Sequence, residues 1–265
     1  ILAILLVLWG FRPTYAGWDA VGPNITIGYV QLGAVLLLPI GTLLLSYQSL
    51  IGERTTGRIK FLLALPLTRT QILLGKSAGR AASVGTSAVV VAIVLAVAGL
   101  IEHGAFDVLP FVATLLTTLL LVVAMVALGV ALSALAGRTV TAAAAAFSYF
   151  VLTLLWSNIV TSAYTALTGV PVDPYDVPAS GPLFFALRLT PDAAYSVLTN
   201  WYLGVGNSAE AFHVVYTKLA PGVSINAFVV EAAFGGPGPW YLHPALSLLT
   251  LLAWTAVPFA VAQTV

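Results

Sequence analysis

Three histidines, nine carboxylates and one Gly-Lys-Ser triplet are the residues of this chain that could do chemistry, and none is spaced for it. His103, His213 and His243 lie far apart, and Glu210 with His213 at i, i+3 offers a metal two ligands where a stable site needs three or four. A solvated helix face is the simpler reading of that pair. Gly75-Lys76-Ser77 has the ending of a P-loop, but Thr70 stands where its first glycine belongs. Gly52 to Ile59 has the glycine spacing without the Lys and Ser/Thr, and neither stretch follows a strand in a soluble α/β unit. No catalytic residue, metal ligand or cofactor is therefore assigned to this chain, and any nucleotide must be held by another. The stronger signal is placement of charge: six of the ten basic residues fall between Glu53 and Arg80, in a chain that is only 7% charged.

The elements that carry this stretch are membrane helices. Hydrophobic residues make up 60% of the chain and the mean hydropathy is +1.03, beyond the range of soluble domains. Charge-free apolar runs longer than ~18 residues recur, each able to cross a ~30 Å hydrocarbon core. They are too long and continuous for barrel strands. The absence of cysteine excludes disulfides and thiolate metal sites. No cleavable signal is visible, and the chain begins and stops inside apolar runs, so it reads as trimmed at both ends.

The expected order is a first span ending near Gly10, then helices over about 28–50, 71–101, 108–135 and 139–167, and a last one from about Leu242 to the end. Pro39 and Gly41 suggest a packed kink in the second helix. Gly75, Gly79 and Ala82 suggest close helix packing, and Ala142 to Ala146 a near neighbour. Asn24-Ile25-Thr26 fits the glycosylation pattern, one that recurs by chance. Residues 169–240 differ in kind, rich in Pro, Gly and aromatics. Thr190-Pro191-Asp192 reads as an N-cap with Pro at the first helical position, predicting a short helix over 192–202, and 208–219 is a second candidate. Tyr195, Trp201, Tyr202, Trp240 and Tyr241 fit a headgroup-level aromatic belt.

Sidedness follows from the charges. The loops after the second and fourth helices carry Arg54, Arg58, Lys60, Arg69 and Arg138 against Glu53, with Lys76 and Arg80 just inside the third. The opposite loops carry Arg12, Arg188 and Lys218 against the other eight acids. The positive-inside rule places 53–70 in the cytosol and 169–240 outside. No charge lies in the middle of a span, which argues against a proton- or sodium-driven carrier and against a buried charged catalyst.

Within the basic stretch, 55–65 is a short amphipathic helical candidate stopped by Pro66. It could lie on anionic lipid or dock in a groove of a cytosolic partner. Glu53-Arg54, Gly57, Leu62-Leu63, Pro66, Arg69 and Ile72-Leu73-Leu74-Gly75-Lys76 together resemble the signature of ABC-2 type permeases. The long outer segment with Thr190 to Tyr195 resembles the branch of nitrous-oxide-reductase maturation permeases.

That resemblance implies an all-α integral membrane protein, with 1–265 as one permease domain in the plasma membrane. It would be a six-transmembrane-helix bundle with a cytosolic coupling segment (53–70) that contains a short coupling helix, and an extracellular segment (169–240) before the last helix. It further implies a non-catalytic subunit that couples ATP hydrolysis by a separate cytosolic ATPase, which binds ATP and Mg, to movement of substrate. Arg58, Ile59, Leu62 and Leu63 would face that ATPase, with Gly57 allowing a tight entry and Pro66 setting the exit. Glu53, Arg54, Arg69, Gly75 and Lys76 complete the implied partner-binding set. The family's amphipathic helix before the first span has no counterpart here. A second permease subunit, membrane lipid and an extracytoplasmic partner are the other expected contacts; nucleic acid is not. The alternative is a membrane anchor or scaffold for an extracytoplasmic maturation partner, without transport of its own. An intramembrane enzyme ranks below both, because no catalytic acid, His pair or nucleophile motif lies at depth.

Overall fold

The computed structural model describes residues 21–55, 66–174, 176–211 and 228–264. The helices are α1 (Ile25–Ser46), α2 (Ile51–Thr55), α3 (Arg69–His103), α4 (Val108–Leu135), α5 (Thr139–Thr168), α6 (Gly181–Leu187), α7 (Pro191–Tyr202), α8 (Val230–Phe234) and α9 (Leu246–Gln263). Five helical stretches, containing α1, α3, α4, α5 and α9, are long and apolar enough to cross a membrane. This is a multi-pass membrane protein. The expected first span lies outside the described residues, as does all but the start of the candidate helix at 208–219.

Helix α4 is the centre. It packs against α1, α3, α7 and α9, and Leu121, Met125 and Val126 on it are fully enclosed. Close approach is made by glycines other than those the sequence suggested. A Cβ on Gly129 would stand 2.5 Å from the Cβ of Ser46, and one on Gly99 would collide with Thr26, whereas Gly75 and Gly79 have nothing near them. Small residues therefore draw α1 onto α3 and α4, while the 75–79 stripe faces open space among the described residues. At one end Asn24 Nδ2 donates to Asp107 Oδ2 at 2.9 Å and its Oδ1 accepts from Asp107 N–H at 2.8 Å, tying the start of α1 to the start of α4. The side chain that matched a glycosylation pattern is thus engaged inside the protein.

The segment before α9 enters the bundle. Thr190 caps α7 by accepting from Ala193 N–H at 3.4 Å, and Pro191 occupies the first turn as the sequence indicates. But α7 packs among α1, α4 and α9. Tyr195 is 0% exposed and shares a 2.9 Å hydrogen bond with Thr118, ~15 Å along α4 at 1.5 Å per residue. Its assignment to a headgroup belt is corrected: the segment is polar enough to look like a loop, yet its polar groups face one another. Gln31 of α1 donates to Thr199 Oγ1 at 2.6 Å and to Asn200 Oδ1 at 2.7 Å. Asn200 Nδ2 in turn donates to the carbonyls of Ser208 and Glu210, and Ser157 of α5 donates to Glu210 Oε1 at 2.9 Å. Arg188 donates to the carbonyls of Leu242 and Asn207. Burial lowers its pKa to about 10.

Two predictions follow from this packing. Gly129→Val is expected to cost ~1–3 kcal/mol by overpacking and to lower the melting temperature in detergent, while Gly79→Val leaves it within about 2 °C. Equal effects would contradict the packing. Asp192, with Oδ1 sealed and unpartnered, has its pKa pushed up to about 6 by burial, against ~3.9 in an unfolded chain. The folded state holds that proton more tightly, so its contribution to stability is full below about pH 4 and falls as pH rises toward about 6. Asp192→Asn is expected to raise the melting temperature at pH 7.5 relative to the native protein and to lose that advantage at pH 4.5.

Candidate coupling frame

The basic end of the bundle is built to hold α2. A turn of Tyr47 to Leu50 follows α1, and there Ser133 Oγ of α4 accepts from Leu50 N–H at 2.9 Å and from Ile51 N–H at 3.1 Å. These are N–H groups at the start of a helix, which has no partners of its own for them. Leu50 is buried with Leu73, Val130 and Ala134, so hydrophobic contact and hydrogen bonds fix the same point. One turn on, Glu53 is paired with Lys76 of α3, both side chains half-buried. Ion pairs at exposed sites contribute little, and partial enclosure raises the worth of this one. It binds α2 to the helix that follows the basic stretch.

The far side of that stretch is fixed as firmly. Thr68 opens α3 with a capping box: its Oγ1 accepts from Gln71 N–H at 3.2 Å, and Gln71 Oε1 accepts from Thr68 N–H at 2.8 Å. Pro66 and Leu67 stand exposed just before it. The described residues that flank 56–65 are thus α2, braced on α4 and α3, and the capped start of α3.

The structure brings together two of the implied partner-binding residues, Glu53 and Lys76. Arg54 lies in α2 and Arg69 in the first turn of α3; Gly75 sits on α3 with open space around it. Gly57, Arg58, Ile59, Leu62 and Leu63 lie outside the described residues. Ser133 was missed, because a lone serine in an apolar helix carries no positional signal. Gln71 could have been found, since Thr-x-x-Gln before an apolar run is a capping-box pattern.

A family model described as ABC-2 family transporter protein matches residues 19–265. The chain belongs to the ABC-2 transporter family. It is also similar to the probable ABC transporter permease protein NosY of Stutzerimonas stutzeri, at 44% identity over 54 residues. That match spans 20% of this chain and 20% of the relative. An ABC-2 permease is a membrane subunit, in keeping with the five apolar helices.

Removing the Ser133 acceptor leaves two enclosed N–H groups unpaired, a loss of ~1–3 kcal/mol. Ser133→Ala is expected to speed amide exchange at Leu50 and Ile51 by about tenfold or more while leaving Val122 and Val126 protected. Unchanged exchange at Leu50 would show that Ser133 does not hold α2.

Proposed function

We propose that this chain is the membrane-spanning permease subunit of an ATP-driven transporter, and that residues 53–69 carry force from a separate cytosolic ATPase into the bundle. The observation that carries this reading is that the described residues on either side of 56–65 are both held. Ser133 and the Glu53–Lys76 pair hold the entry to α4 and α3, and the Thr68–Gln71 box holds the exit. A push on a segment anchored at both ends moves helices instead of being absorbed by loops.

In this reading the basic end faces the cytosol, as the distribution of Lys and Arg favours. Residues before 21 complete a sixth span in the plasma membrane, and ATP and Mg bind to the partner chain. Helix α5 buries only Ala142, Ala146 and Val160 among its described residues. It leaves a long apolar face for a second permease subunit. The scaffold alternative draws support from the outer segment. Trp240 is 81% exposed there, beside Trp201, Pro237 and Pro239 in one polar-aromatic hollow, a surface suited to an extracytoplasmic partner.

Coexpression with a candidate ABC ATPase from the same organism separates the two readings. Leu62→Asp with Leu63→Asp is expected to abolish co-purification and to cut ATPase stimulation at least about tenfold, as charge in an apolar contact does. A fully stimulated ATPase in that variant would remove the coupling role and leave the scaffold.

A further inference from the structure

A cavity of about 190 Å³ lies between α1 and α3, closed at its back by Thr118. Its walls are Val30 and Leu37 on one side and Val84, Ser87, Val91 and Leu95 on the other. Leu37 and Ser87 are exposed, so among the described residues it opens sideways out of the bundle. The α3 residues that line it stand at i+4, i+7, i+11 and i+15 from Arg80, one stripe of a helix. Arg80 makes no hydrogen bond or ion pair among the described residues; Glu53, whose charge acts on it, is paired with Lys76.

Depth fixes what can meet both features. From Ala81 to Ile101 α3 is free of charge. That stretch is ~31 Å long at 1.5 Å per residue, the thickness of a ~30 Å hydrocarbon core. Arg80 therefore sits at one headgroup plane and Glu102 at the other. The cavity runs from Val84 to Leu95, ~16 Å, which is the depth of one leaflet. An apolar slot as long as one acyl chain hangs directly beneath a cation that has no hydrogen bond or ion pair among the described residues.

We propose that this slot binds an anionic glycerophospholipid of the surrounding bilayer, one acyl chain between α1 and α3 and its phosphate at Arg80. Guanidinium groups suit phosphate through paired N–H donors, and the apolar walls match a saturated chain. The site needs the chain to span a bilayer and does not depend on ATPase coupling.

The test is lipid retention. The protein is reconstituted in vesicles of phosphatidylcholine and phosphatidylglycerol, re-extracted in mild detergent, and its retained lipid counted by mass spectrometry. The native protein is expected to retain phosphatidylglycerol enriched well above the vesicle ratio. Arg80→Gln should lose about tenfold of that enrichment while Arg80→Lys keeps most of it. Ala88→Trp, which fills the slot, should lose the retained lipid of both kinds, and Leu100→Trp, exposed but away from the slot, should not. Retention at the bulk ratio in the native protein, or enrichment surviving both Arg80→Gln and Ala88→Trp, overturns the proposal. So would a high-yield disulfide between cysteines placed at Val91 and Leu5 in this cysteine-free chain, which would show the slot filled from within. Leu62→Asp should leave lipid retention intact, so failure here and failure of coupling are read separately.

Discussion

Hydrocarbon offers no hydrogen bonds, and this bundle is arranged around that fact. Each polar group carried inward must find a partner within the protein or lose several kcal/mol. The five spanning helices meet the demand trivially, by satisfying their own backbones. The segment containing α6 and α7 is irregular and polar and yet sits among them. It is admitted because Gln31, Thr199, Asn200, Glu210 and Ser157 form one connected set of hydrogen bonds, with Arg188 placed on carbonyls. Breaking one link would strand the others, so α7 is held as a unit and not as a row of separate contacts.

The same rule explains what could be read from the sequence. Spans declare themselves through composition, because lipid selects for apolar length alone, and α3, α4 and α5 end within two residues of their expected bounds. The cap at Thr190 was legible because it is a local event. The burial of α7 was not. Its polarity is matched by residues ~170 positions away in the chain, such as Gln31, and a single glutamine in α1 predicts no partner. Tyr195 went to the wrong place for that reason: an aromatic ring with a hydroxyl suits an interface or a hydrogen-bonded core equally well. The coupling frame was half legible. Charge count located it and resemblance gave it a role, but Ser133, which pins α2, has no signature.

Glycines show the limit of pattern more sharply. A stripe of small residues in α3 suggested contact, and Gly75 and Gly79 meet nothing among the described residues. Gly99 and Gly129 stand where backbones touch. Spacing tells that two helices could approach; only the register of both helices tells where they do. Gly129 lies four residues before Ser133, one turn along the same face of α4. The closest approach of α1 to α4 and the acceptor that pins α2 are therefore adjacent, and the end of α1, the start of α2 and α4 behave as one body.

That continuity bears on how a push at the basic end would travel. Packed interfaces shift between discrete arrangements and do not deform smoothly, so motion is transmitted where contact is dense and taken up where it is sparse. Contact is dense from α4 to α1, α3, α7 and α9, whereas α5 buries few residues along its length while touching α1, α2, α4 and α6. Among the described residues α5 is the spanning helix that buries the fewest side chains, which sets it at a boundary of the bundle. Two tethers cross that boundary at depth: Ser157 on Glu210, and Trp156, which donates to the carbonyl of Ala186 at 2.9 Å. Both join α5 to the segment carrying α6 and α7. The polar element held inside the bundle thus links α5, through Glu210 and Asn200, to Gln31 of α1, and through Tyr195 to Thr118 of α4.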